Sequence, residues 1–168
     1  WTTAYWLDGL LIDSGPPCLA GELVRVVEQL GVDQIVVTHG HEDHTGGLHA
    51  LRRRFPQAKI RAAEATIPLI REPERLGQQT YRRLLWGVPQ AVDSVEPLGL
   101  RVQAGDFSLR VIETPGHSRD HVVFLEAQQR WLFSGDAFIG GRDRAWSPEF
   151  EMFGTISSLR ALAALHPE

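Results

Sequence analysis

Residues 38 to 47 read Thr38-His39-Gly40-His41-Glu42-Asp43-His44-Thr45-Gly46-Gly47, and no other segment restricts the chain as much. The segment places His39, His41, Asp43 and His44 within six consecutive positions. The run before it, Ile35-Val36-Val37-Thr38, is β-branched and mostly apolar, the composition of a buried strand, and a helical stretch is expected after it. In extended chain, alternate residues face the same side at about 7 Å spacing. His39, His41 and Asp43 can therefore converge on one pocket, while His44, at the turn into the helix, points to a neighbouring one. Imidazole and carboxylate are the ligands expected of catalytic zinc. The glycines permit a sharp turn and close backbone approach. The competing reading is a polar loop whose histidines satisfy backbone groups. That reading suits a single histidine better than a cluster.

Two later segments match the first. Thr114-Pro115-Gly116-His117-Ser118 follows a strand predicted over Phe107 to Ile112, and its Pro-Gly pair marks a turn that can deliver His117 to the same pocket. Phe133-Ser134-Gly135-Asp136-Ala137 sets a carboxylate just past another apolar strand, a place from which Asp136 can bridge two cations. Taken alone, His117 reads as a loop histidine and Asp136 as a turn or cap residue.

The elements around these segments alternate. Asp8-Gly9 predicts a hairpin turn between two short strands, ending at the breaker cluster Ser14-Gly15-Pro16-Pro17. Leu19 to Leu30 predicts a helix with Leu23, Val26, Val27 and Leu30 on its apolar face and Gly31 as its cap. Thr45 to Phe55 predicts a helix with Leu48 and Leu51 inward and Arg52, Arg53 and Arg54 in solvent, and Lys59 to Ala62 a strand. Glu64 to Trp86 is a mainly helical insert broken near Pro68 and Pro73, strands fill Val92 to Phe133, and a last helix covers Met152 to Leu165 with Ile156, Leu159, Leu162 and Leu165 as its stripe. One α/β domain is the simplest reading, and the 168 residues suffice for a sizeable core.

HGHEDH, TPGH and SGDAF, in that order, resemble the metal-binding motifs of the metallo-β-lactamase superfamily, and the resemblance covers nearly the whole chain. It implies a four-layer αββα fold, two mixed β-sheets flanked by helices, with metals at one edge. By position it implies that His39, His41 and His117 hold a first metal, that Asp43 and His44 hold a second, and that Asp136 bridges them. Asp43-His44 with a bridging Asp136 is similar to the glyoxalase II branch rather than to true β-lactamases. The implied activity is a di-zinc hydrolase of a small thioester, ester or lactone acting through a metal-bridging hydroxide, with Asp43 also orienting the nucleophile or relaying a proton. Iron or manganese are alternatives to zinc. The family supplies a further histidine from a strand and turn near the domain's C-terminal end. His166 falls too early for that role and reads as a solvated helix-end residue. Residues 1–168 are thus expected to form a single domain lacking N-terminal strand(s) and the C-terminal strand and turn with that histidine. The start at Trp1, with Met152 as the sole methionine, fits a trimmed chain. A weak second metal site and weak or absent activity in this chain are expected.

Composition narrows the alternatives. A net charge of −4 and a pI near 6.0 argue against a general nucleic-acid binder, which lowers a phosphodiesterase or nuclease reading. A mononuclear iron persulfide dioxygenase, using His39, His117 and Asp136, is another family member to weigh. A scaffold that has lost catalysis is the non-enzymatic alternative. The expected partner is a small-molecule substrate. With one cysteine and no apolar run near the roughly 20 residues that span a bilayer, a cytoplasmic protein is expected. His121 reads as a packing group or one that orients a ligand, His49 as surface, and Cys18 as a semi-buried hydrophobe. Substrate contacts are sought in the 64–86 insert and in the loop from Phe138 to Phe150, with Arg142, Arg144 and Trp146.

Overall fold

The structure, a computed structural model, describes residues 2–140 and 150–167. Arg142, Arg144 and Trp146, expected to contact substrate, lie outside the described residues.

Strands β1 (Tyr5–Leu7) and β2 (Leu10–Ile12) form the hairpin expected around Asp8-Gly9, whose φ values of 42° and 81° are those of a two-residue turn that only such residues tolerate well. β3 (Gln34–Val36), β4 (Lys59–Ala62) and β5 (Val95–Pro97) follow in parallel, giving a five-stranded mixed sheet in the order β1-β2-β3-β4-β5. Pro97 is accommodated because β5 is an edge strand. The second sheet comprises β6 (Arg101–Ala104), β7 (Phe107–Glu113), β8 (Val122–Glu126) and β9 (Trp131–Phe133). Among the described residues it is wholly antiparallel, as its short connections dictate.

Strand alternation assigns the first sheet's two faces. Leu11, Ile35, Val37, Ile60 and Ala62 pack against the helices α1 (Ala20–Val27) and α3 (Leu48–Arg54) through Val27, Leu48 and Leu51. Leu10, Ile12 and Val36 face the second sheet, meeting Val102, Ala104, Leu109, Val122 and Phe124. The last helix, α6 (Met152–Ala163), donates from Ser158 at its middle to the Pro115 carbonyl, while the carbonyl of His166 beyond its end accepts from Arg130 at the β8–β9 turn. It therefore runs along the second sheet, and the layers are helix, sheet, sheet, helix.

Several local expectations change. The inward residues of α1 are Leu23, Val24 and Val27; Val26 is exposed, and so is Leu30, because the helix ends at Val27. Only Leu162 of the α6 stripe is buried, and Ile156 is exposed. Cys18 is exposed rather than semi-buried, because it lies in a 3-10 turn outside the core. Arg52 is not a free solvated side chain: its guanidinium bonds the carbonyls of Pro56, Ala58 and Ser94, closing the turn into β4. His49 is half-buried.

Chain direction explains why function gathers at one edge. β2 and β3 are parallel, so both end at the same side; β7 and β9 are each antiparallel to β8, so they share an end. The Val122 N–H donates to the Thr38 carbonyl at 2.8 Å, joining the start of β8 to the end of β3. The segments beginning at Asp13, Val37, Thr114 and Ser134 therefore emerge side by side. No helix among the described residues is long and apolar enough to cross a membrane.

Candidate metal centre

Asp13, at the end of β2, organises the first loop. Its carboxylate is buried, and its φ of 62° turns the chain back across β3. It accepts from the Thr38 N–H at 2.7 Å, the Thr38 hydroxyl at 2.9 Å and His44 Nδ1 at 2.8 Å. The Thr38 hydroxyl, having donated to Asp13, accepts from His39 Nδ1 at 3.1 Å. Nδ1 of both imidazoles is thus held as the donor, and Nε2 of each is turned inward.

The loop is extended only as far as His41, the N-cap of a single helical turn, α2 (Glu42–Thr45), closed by the Thr45 hydroxyl on the His41 carbonyl at 3.0 Å. This turn begins because Gly46 and Gly47 fit where any Cβ would overlap Pro17 or Ser14. It swings His44 beside His39, their ring centroids 4.2 Å apart, and takes Asp43 out of the extended register.

Two groups of electron-pair donors result. His39, His41 and His117 have ligand atoms within 4.8 Å of one another, as do His39, His44 and Asp136. The groups share His39 and are spanned by Asp136, whose Oδ1 lies 3.2 Å from His44 Nε2 and whose Oδ2 lies 3.4 Å from His117 Nε2. Asp43 is in neither group, although its Oδ2 is 3.9 Å from His44 Nε2. His166 is exposed and in neither group.

Burial holds the His39 imidazole well below its usual pKa, reinforced by the neighbouring histidines, and lowers His117 in the same way. Burial would lower His44 too, but Asp13 and Asp136 outweigh it and raise the group well above the ordinary value. Burial would raise Asp136, yet the bond and charge of His44 hold it below the usual carboxylate range. The cluster therefore attracts positive charge. His39 Nε2 is buried without a hydrogen-bond partner among the described residues, and His44 Nε2 faces the Asp136 carboxylate at 3.2 Å. An imidazole lone pair buried among histidines beside a carboxylate is costly unless a cation joins them. The donor set fits a metal on that ground.

Residues outside the three motifs hold this arrangement. His121 is buried; its Nδ1 bonds the Thr114 hydroxyl at 2.8 Å and its Nε2 accepts the Asp136 N–H at 3.1 Å, the orienting role expected of it. Burial pushes its pKa down to about 3, so it stays a neutral acceptor. Asp120 accepts from the Gly40 N–H at 2.8 Å, the Thr66 hydroxyl at 2.8 Å and the Ser118 hydroxyl at 2.7 Å, tying both histidine loops to the insert. The insert comprises α4 (Ile67–Arg71), a 3-10 turn and α5 (Thr80–Trp86). From α5, Arg82 reaches Glu42 at 2.5 Å and Asp43 at 3.1 Å. Asp13, Asp120 and Arg82 are absent from the motif reading. Asp13 carried a signal, a carboxylate just past an apolar strand as at Asp136; Arg82, one of several arginines in the insert, carried none. A cavity of about 390 Å³, lined by Tyr5, Phe138 and Ile139, opens on His44 and Asp136.

The family described as the Metallo-beta-lactamase superfamily matches residues 3–168. A hydroxyacylglutathione hydrolase of Stenotrophomonas maltophilia (strain R551-3) is 35% identical over 161 residues, covering 94% of this chain and 54% of the relative. The chain thus spans about half the length of that curated relative. Among solved structures, TTHA1623 in a di-iron-bound form superposes with a TM-score of 0.78 at 24% identity, covering 98% of this chain and 82% of that one. ST1585, an archaeal protein from Sulfolobus tokodaii, gives a TM-score of 0.79 at 22% identity over 99% and 71% of the two chains.

Proposed function

The chain belongs to the metallo-beta-lactamase superfamily, and from that premise we propose that it carries a two-cation hydrolytic centre of the glyoxalase II kind, acting on a small thioester, ester or lactone. The observation that carries the reading is Asp136 standing between two donor groups that share His39. A single-cation centre needs only one such group. The similarity to a hydroxyacylglutathione hydrolase favours a thioester. Zinc suits the imidazole-rich donor set, and the di-iron form of a structural neighbour keeps iron as the alternative.

His39, His41 and His117 would hold the first cation, His44 and Asp43 the second, and Asp136 both. Paired cations would supply Lewis acidity and a hydroxide nucleophile near neutral pH. The chain's own contribution is to keep His39 and His117 deprotonated by burial, so that their lone pairs are available at neutral pH. Asp13 and Thr38 fix which nitrogen of His44 and His39 faces inward. Asp43 turns Oδ2 toward His44, where it can orient the attacking water or take its proton.

Assaying the chain with added Zn²⁺ against a hydroxyacylglutathione thioester, a lactone and a phosphodiester tests the proposal. Whatever thioester or lactone hydrolysis the chain shows is expected to be abolished by a chelator and restored by Zn²⁺. Turnover of the phosphodiester in preference to the thioester and the lactone overturns the substrate reading.

A further inference from the structure

The ion pair that joins the helical insert to the metal loop stands apart from the donor groups. Glu42 is almost wholly buried, and Asp43 beside it nearly so. One guanidinium serves both: Arg82 Nε meets Glu42 Oε1 at 2.5 Å and Arg82 meets Asp43 Oδ1 at 3.1 Å. The same guanidinium lies over the Trp86 ring, 4.8 Å from its centroid, so the ring one helical turn on holds it in place. Asp43, meanwhile, is the one expected ligand outside both donor groups.

We propose that Arg82 is a positioning residue that claims Asp43 Oδ1, shares that carboxylate's charge, and so makes the second cation site the weaker of the two. The inference rests on the two-cation reading above. A carboxylate shared between a guanidinium and a divalent cation brings the two positive groups to about 6 Å. At that distance their repulsion weakens cation binding by roughly tenfold even at the dielectric constant of water, and by more in a site shielded from solvent. The first group, His39, His41 and His117, contains no partner of Arg82, so the same repulsion reaches its cation from further off and weakens it less. Loss of orientation at Asp43 would act in the opposite direction, since removing a group that orients a ligand commonly costs 10- to 100-fold in metal affinity. The two effects differ in sign, and a titration separates them.

The test is calorimetric titration of the chain with Zn²⁺, repeated with Co²⁺ and read by its visible absorption. Arg82→Met, which keeps the stem and removes the charge, is expected to tighten the second equivalent at least tenfold and the first by less. Arg82→Lys, which keeps the charge, is expected to stay within about threefold of the parent. Because Arg82→Met strands the buried Glu42, the pair Glu42→Gln with Arg82→Met is titrated as well and is expected to show the same tightening. A second equivalent unchanged or weakened in the methionine variants overturns the assignment of Arg82. Failure of the parent chain to bind any Zn²⁺ overturns the two-cation reading itself, and the two failures are distinguishable.

Discussion

Replacing Asp13 with asparagine removes one charge and almost no volume, and asparagine tolerates the left-handed backbone at this position. The amide oxygen can keep the 2.7 Å bond from the Thr38 N–H. The amide nitrogen then occupies the place of the oxygen that accepts from His44 Nδ1 at 2.8 Å and from the Thr38 hydroxyl at 2.9 Å. It donates where a donor already stands. His44 can answer only by giving up its Nδ1 proton and keeping one on Nε2, the atom that faces Asp136 at 3.2 Å. The proton then occupies the lone pair that would receive the second cation. Losing a hydrogen bond to a charged group costs about 1.5–3 kcal/mol, so Asp13→Asn should lower the stability of the metal-free chain by that amount. Its affinity for the second Zn²⁺ should fall 10- to 100-fold, the usual cost of removing a group that orients a ligating histidine. Urea unfolding measures the first and calorimetric titration the second. If the variant binds the second equivalent as tightly as the parent, Asp13 does not set the His44 tautomer and the reasoning fails.

Three further outcomes follow from the same contacts. Asp120→Ala strands the buried Gly40 N–H and frees both histidine loops; a loss of about 3 kcal/mol in urea unfolding is expected, and less than 1 kcal/mol would contradict its bracing role. Gly46→Ala places a Cβ against the Pro17 backbone nitrogen and the Glu42 carbonyl; a loss of about 1–3 kcal/mol is expected, and an unchanged unfolding midpoint would show that the loop can yield. Acid should destabilise the metal-free chain. His39, His117 and His121 have folded values below the unfolded 6.5, so their contribution is present above that pH and is lost as pH falls. His44, raised, acts the opposite way, its contribution being full below 6.5 and lost as pH rises through its folded value. Three depressed groups outweigh one, so the urea midpoint should be lower at pH 5 than at pH 7 in the presence of chelator; a midpoint that rises on acidification would contradict the balance.

The strands were legible because they are short apolar runs bounded by turn residues, as the hairpin at Asp8-Gly9 shows, whereas their arrangement in two sheets was implied only by the resemblance of the metal motifs to the superfamily. The histidine loop was legible because the residue types and their spacing are both unusual. Its geometry was only half legible. His39 and His41 share a donor group, but a helical turn starts at Glu42, seated by Gly46 and Gly47 against Pro17 and Ser14, and Asp43 leaves the extended register. The bracing residues are harder still. Asp120 acts on Gly40 and Thr66, eighty and fifty-four positions away, and no local pattern encodes such a meeting. The apolar face of α1 shifted for a similar reason, since several faces of a helix rich in Leu and Val satisfy the periodicity and packing chooses among them.

Anomalous diffraction from crystals grown with Zn²⁺ tests the central claim most directly. Two peaks about 3.5–4 Å apart should flank the Asp136 carboxylate, one against the imidazoles of His39, His41 and His117 and the other against His44. A density map with no peak at those imidazoles, or with Zn²⁺ bound only elsewhere on the chain, would contradict it.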